Sequence, residues 1–121
     1  MLIEQTVKNG KTIALISAEN TVITDAQSAL DLAMSVKYET GTDRIVINKN
    51  NISEEFFMLS SGMAGDILQK YINYHVKIAI YGDYSHYTSK PLHDFIYESN
   101  KGNDVFFVAT QDEAIDKLAQ V

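Results

Sequence analysis

The segment VKIAIYGDYSHYTSKPLHDFI, residues 76–96, decides the fold. Its first six residues are an apolar run closed by Gly82-Asp83, short enough to read as a buried strand. A polar loop continues to about Ser89. Pro91 then suits the first turn of a helix that turns Leu92, Phe95 and Ile96 inward. A short apolar strand leading into a helix is half of a βαβ unit, and such a strand needs a parallel neighbour.

The same grammar repeats on both sides. Downstream, Asn100-Lys101-Gly102 ends the helix and VFFVA, residues 105–109, is the last strand. Thr110-Gln111-Asp112-Glu113 is a capping box that opens a final helix with Ala114, Ile115 and Leu118 inside. Upstream, RIVIN, residues 44–48, is a strand. It is followed by a helical region with Phe56, Leu59, Met63, Ala64, Ile67, Leu68 and Tyr71 on one face. Ser53 can cap that region, but Gly62 and Gly65 each cost about 1 kcal/mol inside a helix. The region is therefore expected to break, with the main helix starting nearer Ser60, and its small residues are expected to let it approach the sheet closely.

The N-terminal third completes the pattern. Thr24 or Asp25 caps a helix with Ala26, Ala29, Leu30 and Ala33 on its apolar face, and Gly41 stops it. Before it, the alternating residues 2–8 and the apolar run from Thr12 to Ser17 flank Asn9-Gly10, a two-residue hairpin signal because both positions accept positive φ. The order is β-β-α-β-α-β-α-β-α. It predicts one α/β domain over residues 1–121, with an N-terminal β-hairpin and then a mostly parallel five-stranded sheet with four helices.

Composition narrows the function classes. The 121 residues are 45% hydrophobic and 21% charged, an ordinary globular balance. No cysteine is present, so disulfides, thiolate metal sites and a cysteine nucleophile are excluded. A net charge of -6 with Arg44 as the single arginine argues against nucleic acid, whose binding depends on Lys and Arg at phosphates. His75, His86 and His93 lack metal-ligand spacing, and no phosphate-loop glycine pattern occurs, so neither a metal nor a cofactor is expected. With no basic leader before a long apolar run and no membrane-length apolar stretch, the expected compartment is the cytoplasm and no membrane partner is expected.

Ligands of parallel sheets bind outside the carboxyl ends of the strands. That rule selects Glu19 and Asn20 after the second strand, Lys49, Asn50 and Asn51 after RIVIN, Asp83 to His86 after VKIAIY, and Thr110 and Asp112 after VFFVA. The richest segment is Gly82 to Lys90, with Asp83, Tyr84, Ser85, His86, Ser89 and Lys90 as ligand or partner contacts. Asp83, Ser85 and His86 have the residue types of a hydrolase triad, yet adjacent loop residues seldom converge on one substrate atom. No catalytic residue is assigned. The leading expectation is a non-enzymatic interaction module that binds a protein partner or a second copy through this loop. The alternative is a small-molecule-binding protein or enzyme in which Asp83 is a base or acceptor and Lys90 contacts an anion.

Two resemblances add to this. GDYSHYTSKPLHDFIYESNKG, residues 82–102, together with FFMLSSGMAGDILQKYINY, residues 56–74, resembles the signature of the bacterial domain-of-unknown-function family 4180 over about residues 26–119. The resemblance implies no activity. It marks Gly62, Ala64, Gly65, Gln69, Gly82, Asp83, Ser85, Ser89, Lys90, Asp94, Glu98, Ser99 and Asn100 as matching a recurrent pattern. The element order is also similar to that of STAS domains of anti-sigma-factor antagonists, where a serine opening a helix is phosphorylated. Ser60-Ser61-Gly62 resembles that turn, with Ser61 at the modified place, although Leu59 stands where those domains have aspartate. This similarity implies a phosphorylated switch at Ser61 or Ser60.

Overall fold

The computed structural model describes residues 1–121. Strands β1 (Leu2–Lys8) and β2 (Lys11–Ser17) form an antiparallel hairpin in register from Leu2↔Ser17 to Lys8↔Lys11. Asn9 and Gly10 both take positive φ, as a tight two-residue turn demands. Helix α1 (Ala26–Thr40) follows, then β3 (Arg44–Asn48), α2 (Met63–Asn73), β4 (Lys77–Tyr81), α3 (Lys90–Asn100), β5 (Val105–Val108) and α4 (Gln111–Ala119). The strands lie in chain order, β1 to β5, and every pair after the hairpin is parallel.

Three successive crossovers step the same way along the sheet, which puts α1, α2 and α3 on one face. Alternation along each strand then sorts side chains into two cores. Ala14, Ile16, Ile45, Ile47, Ile78, Ile80, Val105 and Phe107 meet α1, α2 and Leu92 of α3. The intervening Ile13, Val46, Ala79, Phe106 and Val108 meet Ala114, Leu118 and Ala119 of α4. Burying one such aliphatic side chain is worth roughly 1.5–3 kcal/mol. Arg44 fastens the end of α4, donating from Nε to the Leu118 carbonyl at 3.1 Å and from Nη2 to the Val121 carbonyl at 2.6 Å.

Local signals set most boundaries. Asp25 caps α1, accepting the Ser28 N–H at 2.7 Å, and Gly41 ends it at φ 76°. Ser89 caps α3 and Thr110 caps α4. Three details depart from the expected pattern. Leu32 and Val36 join Ala29 and Ala33 in the core, while Leu30 is only half-buried, because the helix turns its 29–33–36 face to the sheet. The region after Ser53 breaks as expected, but its main helix starts later than Ser60. It forms 3-10 turns at Glu54–Phe57 and Leu59–Ser61, and α2 begins only at Met63, after Gly62 at φ 79°. The glycines also do not serve close approach to the sheet: a side chain at Gly62 or Gly65 would meet nothing within 4 Å. Gly62 is required by its backbone conformation, and nothing in the structure explains Gly65.

Helix α2 ends on His75 in the left-handed conformation, φ 58°. The Val76 N–H donates to the Tyr71 carbonyl at 2.8 Å and the His75 N–H to that of Ile72 at 3.1 Å, the paired bonds of a Schellman stop. A side chain there costs about 1–2 kcal/mol that glycine avoids, offset in part by the entropy glycine loses on folding. His75→Gly is expected to stabilise the domain by about 0.5–1 kcal/mol in urea denaturation. An unchanged or lower midpoint would show that the histidine contributes something its exposed position does not reveal.

Candidate functional site

The carboxyl ends of β3 and β4 deliver two adjoining loops. Asn48 turns the chain by accepting the Asn50 N–H at 2.8 Å. Asn51 is buried, and its amide donates to the carbonyls of Ala18 and Asn20, both at 2.9 Å. Those bonds tie the Lys49–Asn51 turn to the loop ahead of α1. A buried polar side chain costs free energy unless so satisfied.

Lys49 lies between these loops and is buried. Its stem runs against Gly82, where an added Cβ would stand 2.7 Å from the lysine Cγ. Its ammonium lies 3.7 Å from the Glu54 carboxylate, and 5.5 Å and 5.2 Å from the ring centroids of Phe57 and Tyr87. The Tyr87 hydroxyl donates to both Glu54 oxygens, at 2.7 and 2.6 Å. Loss of hydration, then the hydrogen bond to Glu54 and last the Glu54 charge push the Tyr87 phenol above its ordinary pKa. Lysine, glutamate and tyrosine thus form one paired unit, as a buried ammonium requires.

Aromatic rings fill the space beside it. Phe57 stacks on Tyr87 at 5.3 Å, and Tyr84 lies edge-on to Phe107 at 6.0 Å. The Tyr84 hydroxyl donates to the Ile80 carbonyl at 2.7 Å, and burial raises its pKa. Between the Glu54–Ser60 segment and His86–Leu92 an open groove of about 770 Å³ remains. Phe57, Tyr87 and Leu92 line it together with Met58, which is 58% exposed, and Ser60, Thr88 and Ser89 supply hydroxyls. A second hollow, about 820 Å³, lies over the sheet end between Asn48, Tyr81, Asp83 and Glu113.

The six loop residues singled out from the sequence do not gather at one point. Asp83 lines the sheet-end hollow. Its carboxylate accepts the Ser85 N–H at 2.8 Å. The Ser85 hydroxyl and N–H together hold Asp83 below the usual carboxylate range, with smaller help from His86 and Lys49. Tyr84 belongs to the aromatic cluster. His86 is exposed and rests on Tyr87, ring centroids 4.1 Å apart. Ser89 accepts the Leu92 N–H as a helix cap. Lys90, 84% exposed, pairs with Asp94 at 2.7 Å and lines neither hollow. Ser60 and Ser61 are exposed and neither open an α-helix nor lie within one. The Ser61 hydroxyl donates to the Glu55 carbonyl at 2.7 Å and accepts the Met63 N–H at 3.2 Å, while Ser60 sits on the groove's lip.

Sequence reasoning placed Lys49 at a strand end but gave it no role, and it missed Glu54, Phe57 and Met58. A lysine directly after the apolar strand RIVIN was the one available sign of a buried amine. Among the family-pattern residues, Asn100 proves structural: it donates to the Phe107 carbonyl at 3.0 Å and accepts the Phe107 N–H at 2.7 Å. Asp94 and Glu98 face solvent, paired with Lys90 and Lys101.

Fold and site together define a small α/β domain, helices on both sheet faces, that carries an aromatic groove at the carboxyl end of its strands. Residues 8–118 match the family model of the Domain of unknown function (DUF4180), and the chain belongs to that family. No curated protein and no solved structure matches it. No helix is long and apolar enough to cross a membrane.

Two measurements probe the loop. Gly82→Ala is expected to cost about 2–4 kcal/mol, from overlap with the Lys49 stem and from a backbone at φ 155° that a side chain disfavours. With Lys49→Ala in the same chain the Cγ and Cδ overlaps vanish and only the Cβ contact at 3.3 Å stays, so the double variant should recover at least about 1 kcal/mol relative to additivity; strict additivity would show that the contact is not the cause. For Asp83, whose pKa is depressed, the turn is stabilised above the unfolded carboxylate value and loses that support as pH falls through the folded one. The Ser85 amide resonance should therefore titrate with a midpoint below 3.8, and a midpoint at or above that value would remove the bond's role.

Proposed function

We propose that the domain is a non-enzymatic interaction module that holds a protein partner's extended segment in the groove between Glu54–Ser60 and His86–Leu92. One observation carries this reading. Asp83 and Lys90 of the loop are turned onto their own neighbours and line no part of the groove, whereas Tyr87 lines it together with Phe57 and Met58 of the facing segment. Asp83 is held by Ser85, Lys90 by Asp94, and His93 donates to the Tyr87 carbonyl at 2.6 Å. An apolar floor with a hydroxyl rim is the anatomy of a surface that buries one anchor side chain. Glu54 at the groove and the net charge of -6 suit an apolar anchor flanked by lysine or arginine. Phosphorylation at Ser60 or Ser61 would regulate the same groove, since both residues are exposed and Ser60 sits on the lip, where a phosphate adds charge. Ser61 would first have to release its bonds to Glu55 and Met63.

The small-molecule reading draws support from the sheet-end hollow. Asp83 and Glu113 line it, so its ligand would be cationic or rich in hydroxyl donors. Asp83 would accept hydrogen bonds there, while Lys90 stands elsewhere.

Selection of a displayed random-peptide library on the protein separates the two. Enriched peptides should share an aromatic or branched apolar residue beside basic ones, and should shift the Met58 methyl resonance. Met58→Asp should weaken them at least tenfold, and Tyr97→Asp, on the exposed face of α3, should not. Peptides that survive Met58→Asp, or a selection that yields none, would overturn the groove reading.

A further inference from the structure

The two edges of the sheet are treated in opposite ways. At β5 the Asn100 amide pairs with both the N–H and the C=O of Phe107, filling the place of a neighbouring strand's peptide group. Helix α3 packs beside it. At β1 there is no such guard. The strand runs seven residues without proline, in unbroken register with β2, and no side chain bonds to its backbone. Val7 is 64% and Leu2 56% exposed. Proteins normally blunt so long and regular an edge, because its unpaired N–H and C=O groups are a template for another strand.

We infer that β1 pairs with β1 of a second copy of this chain, joining two five-stranded sheets into one. The register follows from the hairpin. A two-residue turn makes its flanking pair, Lys8↔Lys11, hydrogen-bonded, so alternation turns Glu4, Thr6 and Lys8 toward β2 and leaves Ile3, Gln5 and Val7 facing outward. An antiparallel arrangement closes a two-fold dimer. Centred on Gln5, it engages all three outward residues: Gln5 meets Gln5 of the second copy, and Ile3 meets Val7 on either side, with about six backbone bonds formed. Both Ile3–Val7 pairs lie on the face of the larger core, against which Ile3 already packs, and cover the exposed Val7. The strand's charges do not oppose this pairing on balance. In a chain of net charge -6, β1 carries one glutamate and one lysine and so adds no net charge to the pairing. Glu4 lies diagonal both to Lys8 and to Glu4 of the second copy, and Lys8 already pairs with Asp116. An alternative centre on Thr6 sets Ile3 against the turn and loses an apolar pair.

A strand edge alone buries less than the roughly 1,200 Å² of a standard interface, so the association should be reversible, with a dissociation constant on the order of 1–100 μM. Sedimentation equilibrium of the full chain across that range should show monomer passing to dimer. Gln5→Pro removes an outward N–H that the hairpin does not use and should leave a monomer. Gln5→Lys, which sets two like charges on the two-fold axis, should do the same, with circular dichroism confirming the fold of both. The chain has no cysteine. Gln5→Cys should therefore cross-link to itself under mild oxidation, across Cα atoms about 5.5 Å apart, and Val7→Cys should not. Met58→Asp, in the groove, should leave the dimer intact. A monomer at about 1 mM, a dimer that persists in both Gln5→Pro and Gln5→Lys, or a Val7→Cys link as fast as that of Gln5→Cys would overturn the proposal.

Discussion

Burial of one sheet on both faces is the constraint from which the rest follows. Ile45, Ile47, Ile78 and Ile80 face three helices, while Val46 and Ala79, lying between them, face one. A slip of one residue in β3 or β4 would exchange those sets and put isoleucines under α4, where Val46 and Ala79 now sit. That requirement fixes strand register. Register in turn fixes where each strand stops, and so where each loop leaves the sheet.

The loop region shows the consequence. Main chain leaving a buried sheet must find partners for its polar groups, and much of the polar sequence there serves that need. Asn48, Asn51, Ser61, Asp83, Ser89 and Asn100 all bond to backbone within or beside their own loops. Family-pattern residues at these positions therefore divide between scaffolding and surface. Asn100 is scaffolding, Lys90 and Asp94 are surface, and Gly82 is the close approach that gives Lys49 its place.

Lys49 links scaffold to groove. A buried ammonium must keep a counter-charge and polarisable neighbours, and Glu54, Tyr87 and Phe57 meet that need. Holding Lys49 thus orients Tyr87 and Phe57, the two rings that line the groove. The aromatic surface and the ion pair beneath it form one construction, assembled from segments on either side of α2 and β4.

The sequence by itself determined the order of elements, the Asn9-Gly10 turn and the caps at Asp25, Gly41, Ser89 and Thr110. Each depends on the conformational preferences and hydrogen bonds of residues a few places apart. It also located the Gly82–Lys90 loop, since apolar runs mark where strands end. Only the tertiary structure decided that Lys49 packs on Gly82, that Asn100 closes the β5 edge, that Asp83 and Lys90 stand apart, and that β1 is left open. Those are contacts through space between segments far apart in the chain. They depend on which strand lies beside which and on the direction each side chain takes from its backbone, and no local pattern carries that information.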